Sequence, residues 1–177
     1  GNEEEVVRHF RQVADEGDAV AFIFEPLVQA AGGMRMYRPD VLDQLIGYAK
    51  SKDILCIGDE VFTGFGRTGK NFALDYLTNK ADIVALSKGV TGGFLPLGVT
   101  CCSRRIIEAF DSPSFERTFF HGHSYTANPL ACAAANASFK LLMDPACQER
   151  IAGIVVLHRE FAASVKDHPE VLDVRTL

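Results

Sequence analysis

Two short segments hold the residues best suited to chemistry. The apolar run Ile54-Leu55-Cys56-Ile57-Gly58 closes in Asp59-Glu60-Val61, and Ile83-Val84-Ala85-Leu86 closes in Ser87-Lys88-Gly89. Parallel sheets present their chemistry at the edge where such strands end. An acid and a lysine at neighbouring strand ends suit a pyridine-aldehyde cofactor, whose ring nitrogen needs an anionic partner and whose aldehyde takes an amine as a Schiff base. Asp59 reads as the first of these and Lys88 as the second. The plainer readings are an acid that caps the loop after its strand and an ordinary solvated lysine. Gly89 and the pair Gly92-Gly93 favour the chemical reading, because a cofactor lying against backbone favours glycine.

Other groupings carry weaker signals. Gly64 to Lys70 follows a strand and copies most of a nucleotide P-loop, but Asn71 stands where a Ser or Thr hydroxyl must reach magnesium. A turn-rich loop near the site, with Arg67 at a subunit contact, is the better reading. His121-Gly122-His123 offers two imidazoles without a carboxylate or cysteine cluster at ligand spacing, so no metal is expected. Ser124, Tyr125 and Thr126 precede Asn128-Pro129 and a helix; hydroxyls and free N–H groups there make an anion seat, unless Asn128 simply caps the helix. Cys101-Cys102 reads as two small core residues.

These side chains need a frame to position them. Residues 3 to 15 carry an amphipathic pattern (Val6, Val7, Phe10, Val13) and read as a surface helix. Residues 19 to 25 are a short apolar run that Pro26 ends, as a buried strand would be. Pro39 sits where a helix accepts its first-turn proline, and Val41, Leu42, Leu45, Ile46 and Ala49 follow at 3-4 spacing, so residues 39 to 52 should be helical. Strands follow at 54–58, 82–86 and 97–102, then helices at 104–110, 129–143 and on to about 166. Residues 171–177 resemble the first strand of a new unit. Alternation of strand and helix predicts an α/β fold with a mostly parallel sheet and right-handed crossovers.

The 177 residues, 47% hydrophobic, are enough for one sizeable core or one core and the start of another. A net charge of -5 and no Lys/Arg-rich run argue against nucleic acid as the main partner. Five cysteines, an odd number without a C-x-x-C pair, fit a reducing compartment, by default the cytoplasm. No apolar stretch reaches the roughly 18 to 20 residues of a membrane span. The start, Gly1-Asn2-Glu3-Glu4-Glu5, lacks an initiator Met and a signal pattern, and together with the abrupt end at Arg175-Thr176-Leu177 it reads as part of a longer chain.

Taken together, Phe24-Glu25-Pro26-Leu27-Val28-Gln29, Asp59 to Gly69, Leu86-Ser87-Lys88-Gly89 and Gly122 to Leu130 resemble the class III, fold-type I aminotransferases that use pyridoxal 5'-phosphate. Their order and spacing match across nearly the whole chain. The resemblance implies that residues 1–143 are the C-terminal half of the large cofactor domain and 144–177 a linking helix and the start of the small C-terminal domain. It also implies a homodimer with shared sites. By that likeness Asp59 is the pyridinium partner, Lys88 the Schiff-base lysine, Val61 the residue packed on the ring face and Glu25 the strand-end glutamate beside the cofactor. Gly122, on the substrate side, and Ser124 match the segment that reaches across the dimer to the other subunit's cofactor phosphate. Ser124 replaces the usual Thr, keeping the donor and losing a methyl.

Val28 to Tyr37 and Ala131 to Ser138 look most like the branch of the class that serves biotin synthesis. This implies S-adenosylmethionine as amino donor and a keto acid, 8-amino-7-oxononanoate, as acceptor. Rival expectations are another ω-amino acid aminotransferase, acting on 4-aminobutyrate or a diamine, and a non-catalytic module that keeps the fold as a partner-binding surface. The family's glycine-rich phosphate turn and ring-stacking aromatic would precede residue 1, and its substrate-carboxylate arginine would follow residue 177, so the chain alone is expected to be inactive.

Overall fold

The computed structural model describes residues 3–177. A four-stranded sheet is built from β1 (Ala21–Phe24), β4 (Leu55–Asp59), β5 (Ile83–Leu86) and β6 (Val99–Cys102), in the spatial order β1-β4-β5-β6. β1, β4 and β5 run parallel, whereas β6 is antiparallel to β5. The reversal has a local cause: a parallel return needs a long crossover, usually a helix, and residues 87–98 contain only the 3-10 turn Lys88–Thr91. A two-residue hairpin, β2 (Val28–Gln29) with β3 (Arg35–Met36), lies between β1 and α2 (Pro39–Ser51).

The core forms where α2 crosses the sheet. Leu42, Ile46 and Ala49 recur at helical spacing and are all but inaccessible, packed with Phe24, Ile54, Cys56, Leu74 and Leu77. Each of the Leu, Ile and Phe side chains among them contributes about 1.5–3 kcal/mol on leaving water. Asp53, in the left-handed region at φ 59°, follows the helix, and the Ile54 N–H returns to the Ala49 carbonyl at 3.0 Å, turning the chain straight into β4. α1 (Glu3–Asp15) packs along α2 and turns one stripe toward β1: Ala14 is buried and Phe10 meets Phe22 edge-on at 4.7 Å.

Along β4, Cys56 and Gly58 are buried while Leu55, Ile57 and Asp59 are half-open, so they face opposite sides of the sheet. Ile23, opposite Ile57, is 66% exposed, and this second face is the more open one. β6 is an edge strand, and this corrects the expectation of a buried Cys101-Cys102 pair: both are exposed, because the chain packs little against that edge. α3 (Arg104–Phe110) follows it, then α4 (Pro129–Leu142) and α5 (Pro145–Val165). The strand expected at 171–177 is not formed. That stretch finds no neighbour to pair with, and Arg175 instead donates to the Met34 carbonyl at 2.7 Å. Among the described residues, no helix is long and apolar enough to cross a membrane.

Candidate active site

Parallel register brings three of the expected residues to one sheet edge. Phe24 lies opposite Gly58, so Glu25 and Asp59 leave β1 and β4 side by side, and Asp59 lies opposite Ala85 of β5, three residues before Lys88. Beyond β5, Ser87 Oγ donates to the Leu97 carbonyl at 2.7 Å and pins the chain as it turns. Lys88 then adopts φ 45°, a left-handed conformation that is uncommon for a lysine and is found where surrounding structure over-determines the backbone. Its ammonium stands 5.4 Å from the centre of the Phe62 ring, within the range of an attractive cation–π contact. Arg67 holds its guanidinium 5.5 Å from the same ring.

Lys88, Val61 and Phe62 together line a cavity of about 500 Å³, closed on another side by Ile151, Ile154 and Val155 of α5. A larger cavity, about 1490 Å³, opens between the Lys88–Thr91 turn and α4. Lys88 and Arg67 line both. Ser138 of α4 donates from Oγ to the Gly89 carbonyl at 3.4 Å, bringing that helix against the turn.

Asp59 is half-buried, and its Oδ1 accepts the Val61 N–H at 3.0 Å. The loop-capping reading of this acid is therefore visible, and the same bond fixes the carboxylate's direction at the strand end. Glu25 also has local duties: its Oε2 accepts the Ala30 N–H at 3.0 Å and its carbonyl accepts the Tyr37 hydroxyl. Burial of that hydroxyl pushes Tyr37 up to about 12. Gly122 and Ser124 are exposed, and like Asp59 and Glu25 they line neither cavity beside Lys88. At the start of α4 the cap is present: Asn128 Oδ1 accepts the N–H groups of Leu130 and Ala131 at 3.0 and 3.4 Å.

The 64–70 loop is not a phosphate cradle. The amides of Gly64, Gly66 and Gly69 are used on the carbonyls of Glu60, Asn71 and Gly66, and Lys70 donates to the Asp75 carbonyl at 3.0 Å. No helix begins at its end; only the 3-10 turn Ala73–Tyr76 follows. Among the described residues, no group of three His, Cys, Asp or Glu side chains could hold a metal ion.

Sequence reasoning missed two contributors. Phe62 forms the wall against Lys88, and Phe65 packs on Gly89 so closely that a Cβ there would lie 2.8 Å from the Phe65 Cβ. Only glycine fits at 89, a close approach that the Lys88-Gly89 pairing hinted at. The donor set fits a pyridine aldehyde. An oriented carboxylate ends one strand, an amine follows the next, and the apolar Val61 lines the same cavity as the amine.

Comparison with known proteins gives the same class. The sequence model for aminotransferase class-III matches residues 2–177, and the chain belongs to that family. It is 48% identical over 160 residues to the adenosylmethionine-8-amino-7-oxononanoate aminotransferase of Synechococcus elongatus, a match covering 90% of this chain and 37% of that protein. The crystal structure of the enzyme of that name from Methanocaldococcus jannaschii superposes with a TM-score of 0.88 at 31% identity, over 96% of this chain and 40% of the other. An ornithine aminotransferase from Toxoplasma gondii, described with partial occupancy of PLP at its active site, superposes with a TM-score of 0.82 at 26% identity, over 96% and 39% of the two chains. The chain thus spans well under half the length of the relatives it matches.

Proposed function

We propose that the protein carrying this chain is a pyridoxal-phosphate-dependent aminotransferase that moves the amino group of S-adenosylmethionine to 8-amino-7-oxononanoate. The observation that carries the reading is the placement of Asp59 and Lys88 at the ends of adjacent parallel strands, with Lys88 on the cavity wall formed by Val61 and Phe62. The choice of substrates rests on the likeness to the Synechococcus protein. When bound, the cofactor supplies an electron sink for a breaking Cα–H bond.

Lys88 Nζ would be the amine that holds the cofactor's aldehyde and, when free, the base that takes the donor's α-proton. Asp59, its carboxylate oriented by the bond from the Val61 N–H, would hold the proton on the ring nitrogen of the bound cofactor. Val61, which lines the cavity with Lys88, would pack on the ring of the bound cofactor, and Glu25, at the end of β1, would lie beside it. Residues 1–143 belong to the large domain and 144–177 lead into the small one. The segment of Gly122 and Ser124, exposed here, would reach the phosphate held by a second copy, making the working unit a homodimer, and the free cysteines fit a cytoplasmic one.

The test uses the full-length protein loaded with cofactor. Adding S-adenosylmethionine alone should bleach its visible absorbance, and the Lys88→Ala variant should show no such change. A response to 4-aminobutyrate or a diamine instead would keep the chemistry and replace the donor. Cofactor-free protein under saturating pyridoxal phosphate would favour a non-catalytic, partner-binding role.

A further inference from the structure

Glu60 is the least accessible charged side chain near the site, wholly buried one residue after Asp59. Every polar part of it is engaged. Its N–H donates to the Ala85 carbonyl at 2.9 Å, adding a bond between β4 and the strand that leads to Lys88, and its carbonyl accepts the Gly64 N–H at 3.0 Å. One carboxylate oxygen accepts the Thr63 hydroxyl at 2.6 Å and the Ala73 N–H at 3.2 Å; the other accepts the Leu74 N–H at 2.7 Å. A single side chain thus ties both ends of the 61–72 loop to the end of β4.

That loop is the wall of the Lys88 turn. Phe62 faces the ammonium, and Phe65 presses on Gly89 while its ring meets Phe72 edge-on at 5.4 Å. A buried acid without such donors would be very unfavourable, and a fully satisfied buried network rigidifies what it joins. We infer that Glu60 is a positioning residue for Lys88: its carboxylate fixes the loop whose Phe62 and Phe65 set the place of the Lys88-Gly89 turn. The inference rests on the transaminase reading above and adds to it a residue that touches neither cofactor nor substrate.

Steady-state and single-turnover kinetics of the full-length, cofactor-loaded protein test it. Glu60→Gln keeps the size of the side chain but, whichever way its amide lies, presents an NH2 where Ala73 or Leu74 needs an acceptor. With Lys88 displaced by a fraction of an ångström, kcat and kcat/KM should fall together by about 10-fold or more while KM for the donor holds. A Glu60→Gln protein that retains cofactor and turns over at the wild-type rate would overturn the inference. Should that variant fail to fold, Thr63→Val, which deletes one donor and keeps the volume, decides: a several-fold fall in kcat at unchanged KM supports the role, and wild-type kcat removes it. Failure of the transaminase reading would show earlier, as wild-type protein with no cofactor on Lys88.

Discussion

At the scale of single residues, the contrast between Asp59 and Glu60 shows how neighbouring acids divide their work. Asp59 is half-open and spends one oxygen on a backbone amide; Glu60 is enclosed and spends both on the loop and the 3-10 turn that follows it. Burial pushes the Glu60 carboxyl above its ordinary value, against the opposing pull of the bonds from Thr63, Leu74 and Ala73. A raised folded value means that the folded protein keeps this proton where the unfolded chain has released it. Its contribution is then fully present below the unfolded value and is lost as pH rises through the folded one. Wild type should therefore lose stability relative to Glu60→Gln as pH climbs from acid toward neutral. Unfolding midpoints of the two full-length proteins across that range check this, and a difference independent of pH would refute it. The identity of Asp59 and Lys88 as candidates was legible because each ends an apolar run. The role of Glu60 was not, since its partners Ala73 and Leu74 lie 13 and 14 residues away.

Between residue and fold, the elements that position the site are strand ends and one tight turn. Gly89 is the point where turn and loop meet, and Gly89→Ala would place a Cβ against the Cβ and ring of Phe65 at 2.8–3.1 Å. Neither partner can yield as the tip of a flexible side chain would. The substitution should cost about 1–3 kcal/mol, as overpacking does, and lower the affinity for cofactor; denaturant titration and cofactor binding measure the two effects. The long periodic helices and the apolar strands were readable, α2 from its first-turn proline and 3-4 spacing. The hairpin of Val28–Gln29 and Arg35–Met36 was not, because two-residue strands show no periodicity. β6 was seen as a strand, but its antiparallel sense depends on what the 87–98 connection fails to contain.

Viewed as a whole molecule, the chain leaves apolar surface uncovered on the side away from its core. Phe115, Phe119, Phe120 and Tyr125 are 62–76% exposed in the segment that carries Gly122 and Ser124. Phe110 with Phe119 and Phe115 with Phe120 pack edge-on at 5.1 and 4.9 Å, giving the segment a shape of its own. Contiguous exposed aromatics of this kind mark interaction surfaces, and a homodimer with shared sites would cover them. Sedimentation of the full-length protein should report a dimer, and Phe115→Asp combined with Phe120→Asp should yield monomers that bind cofactor weakly. A double variant that stays dimeric and fully loaded would place the subunit contact elsewhere. The assignment of Lys88 is tested most directly by borohydride reduction of the cofactor-loaded, full-length protein followed by peptide mapping. A reduced cofactor adduct on Lys88, absent from Lys88→Ala, is the expected result; an adduct on another lysine such as Lys70, or none at all, would contradict it.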